Sequence, residues 1–180
     1  MADLLIRIKR GSDGSAALTC VRGDGSVTWQ RQLGERGRFF PGHDLTHYAV
    51  ETTLGYRRGF YGLVAEGWDI GDFGAPWPRG TLPDEAREVE LVVGLFDLER
   101  SMGPDWTPDE LRAAGAEYAA TGRDAEQGVV LPTLGDSDIA RIRAARADVF
   151  ARWRAVAPGE TLELAFTRGV APRPVSVDAR

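Results

Sequence analysis

Cysteine is nearly absent. Cys20 is alone among 180 residues, so no internal disulfide can form, and its alternating apolar segment suits a small buried thiol with no chemistry of its own. Lysine is as scarce: Lys9 is the only one, and arginine supplies the remaining basic charge, a bias that fits a GC-rich, bacterial coding sequence better than a selected guanidinium surface. Positive charge is not in excess. Twenty-two Lys and Arg against 27 Asp and Glu leave a formal net charge of -5, which excludes a nucleic-acid footprint or a basic membrane surface as the main business. No stretch approaches the roughly 20 apolar residues of a membrane helix. The opening residues Met1 to Arg7 interrupt their apolar run with Asp3 and Arg7, where a signal peptide would continue it. The expected setting is therefore the cytoplasm. Phosphate loops of the Walker type, nucleophile elbows and dinucleotide fingerprints are also missing.

What is present is the composition of one ordinary domain, 43% hydrophobic and 27% charged, so residues 1–180 are expected to form a single unit with 171–180 as a loosely held tail. Residues 4–10, 16–22 and 26–32 read as strands separated by glycine and aspartate clusters that suit tight hairpins. A fourth strand is expected at 161–167, where Leu162, Leu164 and Phe166 alternate with Glu163 and Ala165. Helices are expected between them. Thr107-Pro108-Asp109-Glu110 forms a capping box for a helix that runs to Gly122. Asp136 or Ser137 caps another, with Ile139, Ile142, Ala145, Val149, Phe150 and Trp153 on one face and arginines opposite. In residues 83–102, Val89, Leu91, Val92 and Val93 suit a buried strand as well as a helix, and length and an acidic first turn favour the helix. The fold class is thus α+β: a small antiparallel sheet of three N-terminal strands and one C-terminal strand, packed with about four helices. Between Gly55 and Thr81, six glycines alternate with Phe60, Tyr61, Trp68, Phe73 and Trp77. Such a segment is either a lid over a substrate or a connector whose aromatics plug one end of the core, and the second reading is favoured.

The only two histidines stand four apart, in a segment that opens on Pro41 and closes on Gly55. Proline at the start, Asp44 in the first turn and glycine at the end predict one helix of about four turns, on which His43 and His47 share a face. Two imidazoles on adjacent turns are a bidentate grip for zinc or another divalent metal, because the helix fixes both nitrogens before the ion arrives. Glu51 continues the row, but lies about 12 Å along the axis from His43 and is expected to orient His47 rather than to bind the ion. The third ligand is expected to be Glu90, a carboxylate among Val89, Leu91, Val92 and Val93 whose place is costly unless a cation or donor neutralises it. Gly94, on the same helical face, would let another helix approach closely. Asp97, Glu66, Asp69 and Asp72 are the substitutes.

The five residues His43-Asp44-Leu45-Thr46-His47 resemble the His-Glu-x-x-His helix of the zinc metallopeptidases. That resemblance implies His43 and His47 as zinc ligands and Asp44 as the base that activates a bound water. Aspartate is one methylene, about 1.5 Å, shorter than the family's glutamate, so its reach departs from that pattern. The wider stretch through Gly59-Phe60-Tyr61-Gly62-Leu63 is similar to a bacterial family that carries a His-Asp-Leu-x-His motif and has no established activity.

Two functions follow. One is a metal-dependent, zinc-type hydrolase acting on a small-molecule or peptide substrate, with the metal lowering the pKa of bound water toward 7. The other is a non-catalytic interaction or small-ligand-binding domain in which the histidine pair is structural.

Overall fold

The structure, a computed structural model, describes residues 2–74, 76–103, 106–121 and 130–169. The expected tail at 171–180 and the Gly122 end of the capping-box helix lie outside the described residues. Strands β1 (Leu4–Arg10), β2 (Ala16–Arg22), β3 (Val27–Gln32) and β4 (Thr161–Phe166) form one antiparallel sheet in the order β3-β2-β1-β4. The C-terminal strand closes the sheet beside β1, as its alternation predicts. Register follows the alternation: Ile6 stands opposite Cys20 on one side and Leu164 on the other. Leu4, Ile6, Ile8, Leu18, Cys20, Leu162, Leu164 and Phe166 then all point to one buried face.

Helices α1 (Glu35–Leu54), α2 (Phe60–Ala65), α3 (Asp84–Met102), α4 (Pro108–Thr121) and α5 (Asp136–Ala155) accompany the sheet, with a 3-10 turn at Ile70–Phe73. The capping box of α4 forms as predicted: Thr107 N donates to Glu110 Oε2 at 2.7 Å and Glu110 N donates to Thr107 Oγ1 at 3.3 Å. Helix α5 begins at Asp136 rather than after it, and its flanking Gly135 N donates to Asp138 Oδ2 at 3.3 Å. Its arginines are not all opposite the apolar face. Arg146 is buried, donating to Phe96 O and pairing with Glu99.

Helix α1 is longer than the proline signal indicates. It starts at Glu35, six residues before Pro41, and ends at Gly55, whose φ of 73° provides the left-handed closure that glycine adopts without strain. A proline inside a helix removes one amide donor, which is why the sequence points to a start at Pro41. What decides otherwise is packing. Gly37 sits so close to the β1–β2 turn and the end of β3 that a Cβ there would lie 2.7 Å from Gly14 O and 2.8 Å from Gln32 O. The first turn is thereby pinned to the sheet.

Two apolar clusters meet at α1. Leu45 belongs to the cluster formed with the sheet, Phe60, Tyr61 and Val149. Val50 belongs to a second, formed by Val89, Val92, Val93 and Phe96 of α3 with Leu111, Ile139 and Ile142. Because α1 is enclosed on both sides, its polar residues are buried too: Asp44, Thr46, His47, Glu51 and Thr53 are all nearly inaccessible. Such groups persist in a core only when partnered. Gly94 acts as expected in letting α4 approach, since a Cβ there would stand 2.3 Å from the Tyr118 hydroxyl. Within the Gly55 to Thr81 segment Phe60 lies against Phe73 with ring centroids 4.7 Å apart, and Phe73 against Trp68 at 5.5 Å, both pairs tilted, while Trp77 stays exposed.

Candidate metal centre

Helical spacing puts His43 and His47 one turn apart on the side of α1 that faces α3. Their Nε2 atoms are 3.2 Å from each other, and the rings stand nearly perpendicular, at 82°. Glu90 enters from α3, its Oε1 3.5 Å from His47 Nε2. One ligand atom from each of His43, His47 and Glu90 falls within 4.8 Å of the others, a group that could hold a metal ion. The structure brings together the three residues expected as ligands, Glu90 included. The His47 side chain is 2% exposed, whereas 21% of His43 and 36% of Glu90 are open to solvent, so the group is floored by protein and reached from one side.

The opposite nitrogen of each ring faces a carboxylate. His43 Nδ1 is 2.8 Å from Asp97 Oδ2. His47 Nδ1 is 3.4 Å from Glu51 Oε1, at ion-pair distance but off the line of a full hydrogen bond. A carboxylate accepts and does not donate, so it selects the tautomer with the proton on Nδ1. Both Nε2 atoms then converge on the same space, where either a proton donated from His47 to His43 or a cation bound by both rings lies between them. Burial disfavours a charged His47, but Glu90 and Glu51 outweigh it and push the ring up to about 10. Burial likewise raises Glu90, and His47 and His43 overcome it, holding that carboxyl below its usual range. The pocket is built to attract positive charge.

Glu51 does more than face His47. Its two oxygens accept from Tyr61 N and Gly62 N, each at 3.1 Å, and so satisfy buried first-turn amides of α2 that have no partner within the helix. A Cβ on Gly59 would stand 2.6 Å from the Glu51 carboxyl carbon, so the glycine leaves the space that this carboxylate fills. Asp97, one of the substitute ligands, takes the orienting place at His43. It also accepts from Arg100 Nη2 at 3.1 Å and lies 3.4 Å from Thr46 Oγ1. Burial raises its carboxyl, but His43 and Arg100 draw it below the ordinary range. Glu90, Gly94 and Asp97 recur at i, i+4 and i+7 on α3, so their common stripe was visible in the spacing, though the division of labour between the two acids was not.

The other expected acids go elsewhere. Glu66 pairs with Arg58, Asp69 with Arg22, and Asp72 with Arg79 at 2.7 Å. Asp44, expected as the base, is fully buried, and its Oδ2 accepts from Gln32 Nε2 of β3 at 2.8 Å. Burial drives its carboxyl up to about 6, against the opposing pull of Gln32 and the two histidines. Its neighbour in space is the sheet, because a residue next to His43 in sequence is rotated by about 100° around the helix. Gln32 carries no sequence signal of this role, lying at the end of β3.

No family model matches the chain, and neither a curated protein nor a solved structure matches it. Of the resemblances carried by the motif, what stands is a helical His-x-x-x-His pair joined by Glu90. Among the described residues, no helix is long and apolar enough to cross a membrane.

Proposed function

We propose that this protein binds one divalent metal ion, zinc by the chemistry of its donors, through His43, His47 and Glu90, and that it is a metal-dependent hydrolase. The observation that carries the metal reading is the 3.2 Å approach of two imidazole Nε2 atoms whose Nδ1 atoms both face carboxylates. A tetrahedral ion with bonds of 2.0–2.1 Å separates its ligand atoms by about 3.3 Å, close to the spacing of the two histidines and near that of His47 and Glu90. Two imidazoles and one carboxylate are a donor set of catalytic zinc, one that leaves the fourth position for water. The partial exposure of His43 and Glu90 leaves a way in on that side. A bound ion would supply Lewis-acid activation of that water at neutral pH. Asp97 and Glu51 orient the two rings, and Glu90 balances part of the ion's charge. Asp44 is left out of the water-activating role, because its carboxylate is committed to Gln32.

The test is calorimetric titration of the untagged, metal-free protein with zinc, alongside hydrolysis of an activated ester. One equivalent bound with sub-micromolar affinity, at least a hundredfold weaker binding in H43Q and E90Q, and ester cleavage that vanishes on chelation are expected. A wild-type chain that takes up no zinc, or whose variants bind as well, overturns the metal reading. Stoichiometric zinc without any metal-dependent cleavage overturns the hydrolase reading and leaves a metal-stabilised binding domain.

A further inference from the structure

The rim of the metal centre carries an exposed aromatic and a cation held by one carboxylate between two aromatic rings, Phe39 and Phe150. Phe39, one turn before His43 on α1, lies stacked on the His43 ring at 5.5 Å and 25°, yet remains 47% exposed. Arg100, one turn after Asp97 on α3, places its guanidinium 5.6 Å from the Phe39 ring. It lies against α1 at Gly42, where a Cβ would stand 2.6 Å from Arg100 Nη1. A Cβ there would displace the guanidinium from the residue adjoining His43. A third of the Arg100 side chain is open to solvent, and among the described residues its one ion-pair partner is Asp97, which His43 shares. An arginine has five N–H donors, and one shared carboxylate leaves most of them for solvent or a ligand.

Resting on the metal reading above, we propose that the ligand of this centre is a small carboxylate with a flat apolar body, the carboxylate received by Arg100 and the body laid against Phe39. A single guanidinium presents two parallel N–H groups, the match of one carboxylate, and a divalent ion nearby reinforces the attraction for an anion. Phe39 adds an exposed ring that a ring or a conjugated chain can cover.

The test uses the full chain loaded with cobalt(II), whose visible bands report on ligands near the ion, titrated with benzoate, benzamide, acetate and phenyl phosphate. Benzoate is expected to bind at least tenfold tighter than benzamide. R100Q is expected to lose about tenfold in benzoate affinity and none for benzamide, and R100K, which keeps the charge without the fork, to fall between. F39A should weaken benzoate about three- to tenfold and leave acetate unchanged. Equal affinity for benzoate and benzamide, preference for phenyl phosphate, or wild-type benzoate binding in R100Q overturns the inference while the metal reading stands. Failure to take up cobalt overturns both. Cobalt affinity measured in each variant separates loss of the anion subsite from a disturbed Asp97.

Discussion

Gly59 and Glu51 are fitted to each other: the carboxyl carbon of Glu51 occupies the place where a side chain on residue 59 would begin, 2.6 Å from its Cβ position. This contact links the metal centre to the aromatic segment, because the same carboxylate faces His47 and holds the first amides of α2. Replacing Gly59 by alanine should push Glu51 away and leave buried amide donors unsatisfied. A loss of about 1–3 kcal/mol in stability is expected, together with weaker zinc binding. Urea unfolding and zinc titration of G59A measure the two effects, and unchanged values for both would show that Glu51 has room to move.

Asp97 tests the orientation of His43. In D97N an amide replaces the carboxylate that fixes the ring, while the helix and its apolar packing are untouched. Zinc affinity is expected to fall about 10- to 100-fold with circular dichroism unchanged. A D97N protein that binds zinc as the wild type does would place Asp97 outside the centre's function.

Protons compete with the ion. In the metal-free protein His47 is pushed up to about 10, so it is protonated at neutral pH and a metal must displace that proton. Apparent zinc affinity should therefore rise about tenfold per pH unit between pH 6 and 8, with one proton released. Calorimetry in buffers of different ionisation enthalpy counts that proton. The sign for stability is opposite. A histidine whose folded pKa lies above its ordinary 6.5 stabilises the metal-free fold fully below pH 6.5 and loses that contribution as pH climbs toward about 10.

Asp44 gives a second pH signature. Its folded pKa of about 6 lies above the ordinary 3.8, chiefly through burial, so the folded state holds the proton more tightly than the unfolded chain. Its contribution is complete below pH 3.8 and is lost as pH rises through about 6, after which the buried charge costs on the order of 3 kcal/mol. Asparagine can still accept from Gln32 and carries no charge. Metal-free D44N should accordingly be more stable than the wild type at pH 7 and lack the decline between pH 4 and 7. The same variant speaks to the base role: retained ester hydrolysis in D44N fits the carboxylate's commitment to Gln32, and its abolition with zinc still bound would restore Asp44 as the base.

Local pattern carried far for this chain. Alternation of apolar residues determined the strands and which of their faces is buried, the capping box determined where α4 begins, and the spacing of two histidines placed their rings on one side of one helix. These are properties of the chain within a few residues, governed by backbone period and hydrogen bonding near at hand. Tertiary structure decided what lies farther away. Whether Glu90 or Asp97 meets a ring nitrogen, whether Asp44 turns to the ion or to Gln32, and whether Glu51 serves His47 or the amides of α2 depend on how α3, β3 and α2 are set against α1. That placement also started α1 before its proline and buried Arg146. Packing of several elements at once fixes these side chains, and no single segment contains that information.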